Sequence, residues 1–291
     1  MDKEQTSRRR HFLKTTLALG ATAFINPVGA IASVPERAEE FAITVGPYLQ
    51  TNFGNEMTIL WITNKKSFGW VEYGLNEQAL NQKAYGKTEL GLKAANSNLN
   101  RITLQNLLPG KTYYYKIYSK EINEFKPYKL TYGETINSPI ETFVNTANTI
   151  EKVSFLMLND IHDRPKSIPH LVNLAKGEKQ DFIFFNGDIF DYQTDEQQII
   201  NNMLLPCVET FAKHTPFLYV RGNHETRGKF AREFPDYFHQ VGHAAFTLGP
   251  VRFVILDTGE DKPDTEPVYA GIVDFDTYRI QQAAWLAQEI E

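Results

Sequence analysis

The chain has 291 residues, with 30 Lys and Arg against 35 Asp and Glu, a net charge of −5 and one cysteine. Without a basic excess there is little to hold the phosphates of a nucleic acid, so no nucleic-acid partner is expected. A lone cysteine rules out a disulfide framework within the chain, and Cys207, set among Leu204, Leu205, Pro206 and Val208, reads as a small buried hydrophobe.

Residues 1–32 read as an export leader. Arg9-Arg10-His11-Phe12-Leu13-Lys14 is a twin-arginine motif ahead of an apolar run at 15–25, and Ala30-Ile31-Ala32 offers a small-x-small cleavage site before Ser33. The run is too short to span a bilayer. The mature chain is therefore expected to have no membrane span, to use the twin-arginine export machinery and to be periplasmic or secreted. The leader holds five Lys and Arg against two Asp and Glu, so its removal leaves a net charge of −8.

Residues 38–148 carry the pattern of an all-β domain. Short strands are expected at 57–62, 70–73, 101–104 and 112–118, separated by turn chemistry at Gly54-Asn55 and Leu108-Pro109-Gly110-Lys111. That spacing predicts a β-sandwich. Tyr113, Tyr114 and Tyr115 read as core and sheet-face packing, because alternation sends neighbours to opposite faces. Residues 145–151 read as a polar linker.

From residue 152 onward apolar strands alternate with amphipathic stretches, which predicts a layered α/β domain over 152–291. Helices are expected at 167–175, with Ile168, Leu171, Val172 and Leu174 as the apolar face, and at 195–212, where Pro206 should kink or break the helix. A fourth strand is expected at 251–256, ending in Asp257-Thr258-Gly259, and a last helix at 277–290.

Three short runs carry the chemistry: Asp160-Ile161-His162, Gly187-Asp188-Ile189-Phe190-Asp191 and Gly222-Asn223-His224-Glu225. Each follows an apolar stretch, at 153–158, 182–185 and 216–220. Reactive groups gather beyond the carboxyl ends of parallel strands, so the three runs would meet at one rim. Carboxylate, imidazole and amide together suit hard or borderline divalent metals. Asp188 has two oxygens and can bridge two cations, and Gly187 before it permits a tight turn. Asp257 reads as a strand-end turn residue. Arg164 and Arg221 read as solvated loop charges, with Arg227 the best placed of the arginines to clamp a phosphate. His170, His214, His239 and His243 have no placement as ligands.

In this order and spacing, D-x-H, G-D-x-x-D and G-N-H-E resemble the calcineurin-like metallophosphoesterase superfamily. The segment before them resembles the fibronectin-type N-terminal domain of purple acid phosphatases, and Tyr113 falls where that fold ties a loop to the backbone through a tyrosine hydroxyl. The resemblance implies two metal ions (Fe, Mn or Zn), one held by Asp160, His162 and Asp188, the other by Asp188 and Asn223. It implies hydrolysis of a small phosphate monoester by a metal-activated hydroxide, with a phosphodiester or nucleotide as the alternative substrate. His224 would support the leaving group, Asp191 would orient a neighbouring ligand, Glu225 could do the same, and Arg227 would join His224 in binding substrate. Purple acid phosphatases place a tyrosine three residues after the bridging aspartate; here that residue is Asp191, so a colourless metal site is expected. The Gly-His-x-His that relatives carry beyond the last helix is not found. On the resemblance the phosphoesterase domain is therefore C-terminally incomplete, and an inactive remnant acting at most as a binding module is the remaining alternative.

Overall fold

One long strand organises the first half of the chain. β1 (Ile43–Gln50) pairs antiparallel with β2 (Met57–Gly74), which also pairs with β3 (Gln82–Tyr85), β6 (Ser97–Leu104) and β7 (Thr112–Lys126). The short β4 (Thr88–Glu89) and β5 (Leu92–Lys93) pair with each other, while β8 (Lys129–Asn137) and β9 (Glu141–Val144) pair with β7. The sequence pattern separates 57–62 from 70–73; the structure joins them. The joining segment 63–69 holds no proline, and its one glycine, Gly69, stays extended and pairs with Ser119 of β7, while the register with β6 shifts between Ile62 and Ser67. This computed structural model describes residues 39–290 apart from 52, 148, 240 and 241, and the expected leader lies outside them.

The first half of β2 is buried on both faces. Met57, Ile59 and Trp61 face the sandwich core with Val71, Tyr113, Tyr115 and Phe143. Leu60 and Ile62 face the other way and join Val45, Tyr48, Phe211, Phe217 and Tyr219. Double burial explains why 57–62 lacks the polar alternation of a strand with one wet face. Tyr113 closes the expected corner, its hydroxyl accepting from the Leu108 amide at 2.9 Å. Asn145 is not a solvated linker residue: it is buried, and its Nδ2 donates to the Leu108 carbonyl at 3.2 Å. Residues 40–291 form one compact unit.

In the second half β10 (Phe155–Leu158), β11 (Phe182–Asn186) and β12 (Phe217–Val220) form a parallel sheet in that order. One face packs on α1 (Ser167–Leu174) and on the helix that runs through residues 196–210. In α1, Ile168 is buried but Leu174 is 72% exposed, because it lies off the stripe shared by 168, 171 and 172. The longer helix stays continuous through Pro206. It opens as α2 (Glu196–Ile199), widens to a π segment at Ile200–Leu204 and resumes as α3 (Leu205–Thr210), so the missing Pro206 N–H falls where the hydrogen-bond pattern changes. Cys207 is fully buried here, and burial pushes its thiol well above the ordinary range.

The other face of the sheet is covered by a hairpin. β13 (Ala244–Leu248) and β14 (Val251–Ile255) pair antiparallel, placing Phe246 and Leu248 on Phe182, Phe184, Leu218 and Val220. The expected fourth strand thus leaves the parallel sheet. A two-residue link at Gly249-Pro250 cannot make a parallel crossover, which needs about a dozen residues or more. The chain then runs into α4 (Phe275–Glu289). Among the described residues, no helix is long and apolar enough to cross a membrane.

Candidate active site

The loops after β10, β11 and β12 converge because their backbones can approach more closely than ordinary residues permit. A Cβ on Gly187 would stand 2.7 Å from the Gly222 backbone, and one on Gly222 would stand 2.2 Å from Asp188 Oδ1. Only glycine fits at either position. The β10 loop continues alongside the β11 loop, with the amides of Asp160, His162 and Asp163 donating to the carbonyls of Gly187, Asp188 and Ile189 at 3.2, 3.1 and 2.9 Å. Asp160, His162, Asp163 and Asp188 all sit in the left-handed region, with φ of 55°, 49°, 52° and 54°. Asp and His are among the residues that tolerate it, and such strain clusters at functional sites.

The buried carboxylate of Glu225 fastens two of these loops together. Its Oε1 accepts the amides of Ile189 and Phe190 at 2.7 and 3.1 Å, and its Oε2 accepts those of Asp188 and Gly222 at 3.0 and 2.7 Å. Burial pushes the Glu225 carboxyl up, while these amides pull it back.

Around this frame, His162, Asp188 and His224 each bring a ligand atom within 4.8 Å of the others. His162 Nδ1 lies 2.9 Å from Asp191 Oδ1, so the ring donates there and turns Nε2 towards Asp160 Oδ1 at 3.8 Å. His224 Nδ1 donates to the Asp191 carbonyl at 2.8 Å, and the two imidazoles meet edge to face at 4.7 Å between centroids. Asp160 is the most exposed of the group, its side chain 62% open to solvent. Asp163 holds Asp191 in place: its Oδ2 accepts the Asp191 amide at 2.9 Å, and its Oδ1 accepts from Asn202 in the π segment at 2.8 Å.

Asn223 provides a test of whether cations fit. Its amide edge stands 3.2 and 3.3 Å from the two Asp188 oxygens and 2.7 Å from Arg227 Nη2. With the NH2 turned to Asp188 and the oxygen to Arg227, every group is hydrogen bonded. The reverse orientation sets oxygen against oxygen and becomes favourable when a cation lies between them. The donor set of carboxylates, imidazoles and an amide oxygen fits hard or borderline cations.

Residues 153–288 match the family described as calcineurin-like phosphoesterase, and residues 47–133 match the N-terminal domain of purple acid phosphatase. The chain carries a calcineurin-like phosphoesterase domain. It is similar to human acid phosphatase type 7, with 25% identity over 214 residues that cover 69% of this chain and 45% of the human protein. The structure of a purple acid phosphatase from yellow lupin seeds shares the fold, with a TM-score of 0.54 and 18% identity over 78% of this chain and 47% of that one. The chain thus spans about half the length of these relatives.

Each arginine near the rim of the phosphoesterase domain already has partners. Arg164 donates to the carbonyls of Ile161 and Asp160 at 2.7 and 2.6 Å. Arg221 Nε donates to the buried Asp257 at 2.6 Å. Asp257 also forms the expected turn after β14, accepting the Gly259 amide at 2.9 Å, and through Arg221 it anchors the start of the Gly222 loop. Arg227 donates through Nε and Nη2 to Glu260, and its Nη1 lies 3.3 Å from His224 Nε2. Four residues gave no sequence signal for their roles: Asp163, Asn202 and Glu260 look like surface polar residues, and the use of Asp257 as an anchor depends on a fold contact. His214 and His239 pair with the Thr142 carbonyl and the Thr58 hydroxyl rather than with this cluster.

The Arg227–Glu260 pair has a consequence in acid. Burial opposes ionisation of Glu260, but hydrogen bonds from Arg227 and Asp261 prevail and hold its carboxyl at about 2, below the ordinary 4.5. The folded value is depressed, so the stabilisation is present above pH 4.5 and is lost as pH falls towards 2. Unfolding by denaturant across that window should show on the order of 2 kcal/mol of acid-sensitive stability, absent in Glu260→Gln. An unchanged profile in that variant would refute the assignment.

Proposed function

We propose that the phosphoesterase domain hydrolyses phosphate monoesters with two metal ions, and that the protein is exported by the twin-arginine route. The observation that carries the catalytic reading is the convergence of three strand-end loops on His162, Asp188 and His224, whose ligand atoms come within 4.8 Å. Asp160, His162 and Asp188 would hold one cation, and Asp188 and Asn223 the other. When bound, the cations supply Lewis acidity that acidifies water and neutralises charge on the phosphoryl oxygens. Asp191 fixes the His162 ring through its carboxylate and the His224 ring through its carbonyl, so one residue orients both imidazoles. His224 Nε2 faces Arg227 Nη1 at 3.3 Å, and in its imidazolium form His224 would supply the proton that a leaving alcohol needs. Export is supported by Arg9-Arg10 ahead of the apolar run and the Ala30-Ile31-Ala32 site.

The deciding experiment combines metal analysis with turnover. The protein should hold two ions per chain, show no intense visible band and hydrolyse a monoester faster than the matching diester. Fewer than two ions together with no turnover would remove the proposal. His224→Ala should lower kcat by about a hundredfold or more on an alkyl phosphate, and much less on para-nitrophenyl phosphate, whose leaving group needs no proton. Equal losses on the two substrates would remove His224 from the leaving-group role.

A further inference from the structure

Beside His224 the chain builds a cavity that the phosphoryl chemistry does not use. It has a volume of about 350 Å³ and is lined by Arg227, Arg232, Lys262, Tyr269, Ile272 and Phe275 among others. Arg227 is its link to the reaction centre, since its Nη1 lies 3.3 Å from His224 Nε2 and the side chain lines the cavity. An ester whose leaving oxygen meets His224 would project its alcohol portion past Arg227 into this space.

The lining specifies what that portion should be. Tyr269, Ile272 and Phe275 offer an apolar and aromatic wall, and Ile272 is 66% exposed, an apolar side chain open to solvent. The cations differ in their commitments. Arg227 is bound to Glu260, and Lys262 to Asp261 at 2.9 Å. Among the described residues Arg232 has no carboxylate partner; its Nη2 donates to the Ile272 carbonyl at 3.1 Å, which holds the guanidinium in the cavity lining. A fixed guanidinium beside an apolar wall recognises a planar group ending in a carboxylate or phosphate.

Building on the phosphomonoesterase reading, we infer that this cavity is a leaving-group subsite for aryl or similarly flat apolar phosphoesters that carry a second anionic group, read by Arg232. The body packs on Tyr269, Ile272 and Phe275, and the distal anion pairs with the guanidinium.

The test titrates the metal-loaded protein by calorimetry with benzylphosphonate, para-carboxybenzylphosphonate and orthophosphate. The carboxylated ligand should bind the natural protein about fivefold more tightly than benzylphosphonate. Arg232→Gln should abolish that gain and leave orthophosphate affinity unchanged, and Ile272→Glu, which sets a carboxylate in the cavity lining, should reverse it. Equal affinities in the natural protein, or a gain that survives both substitutions, overturns the inference. Failure of orthophosphate to bind would count against the phosphoesterase reading alone. In that event para-toluate reads the cavity directly: binding that Arg232→Gln weakens supports the anion subsite, and no binding overturns it.

Discussion

Glu225→Ala is expected to lower folding stability by about 3–5 kcal/mol, the range for breaking a buried charged group away from its partners. Four backbone amides, from Asp188, Ile189, Phe190 and Gly222, donate to this one carboxylate in the interior. Alanine leaves them without acceptors, and each unpaired buried donor costs about 1–3 kcal/mol before relaxation. Glu225→Gln is the sharper test because it keeps the volume. Each carboxylate oxygen accepts two amides, so the NH2 of glutamine must face two N–H groups whichever way it turns. It should therefore lie nearer to alanine than to the natural residue in urea unfolding. A glutamine variant within about 1 kcal/mol of the natural protein would show that the loops hold together without the carboxylate.

The same residue marks the limit of what could be read from the chain. Three apolar stretches followed by Asp160-Ile161-His162, Gly187-Asp188 and Gly222-Asn223-His224 were legible because strand ends concentrate polar chemistry in a short span of sequence. The sandwich was legible through alternation and turn residues, including the Tyr113 corner. Glu225 was legible only as a residue that could orient a ligand; that it accepts four backbone amides and fastens two loops is a matter of burial, which no local pattern carries. Two apolar runs joined into β2 although Gly69 lies in their junction, because Gly69 stays extended and pairs with Ser119 of β7, a long-range contact with no local signal. The hairpin did carry a signal, Gly249-Pro250 between two apolar runs, which forces an antiparallel return. Pro206 misled in the other direction: the π segment absorbs it, and the widened turn presents Asn202 to Asp163. Contacts between distant segments, such as Arg221 with Asp257 and Arg227 with Glu260, have no local pattern at all.

Asp188→Asn should separate fold from function more cleanly than any other substitution. Asp188 sits at φ 54°, a conformation asparagine tolerates, and its Oδ1 accepts the His224 amide at 3.2 Å, a bond the asparagine oxygen can keep. Folding stability should therefore change by less than about 1 kcal/mol. The charge that would hold two cations close together is nevertheless gone, and an amide offers a single oxygen where the carboxylate offers two. Metal affinity should fall at least about a hundredfold, beyond what the loss of an orienting partner costs. Turnover should fall by about a thousandfold, the scale of losing a group aimed at transition-state charge. Alanine here would confuse the two effects, since φ 54° costs it about 1–2 kcal/mol of backbone strain. Two tightly held metals in a stably folded Asp188→Asn protein would mean that the cations do not share this residue, and Asp160, His162 and Asn223 would then have to hold them separately.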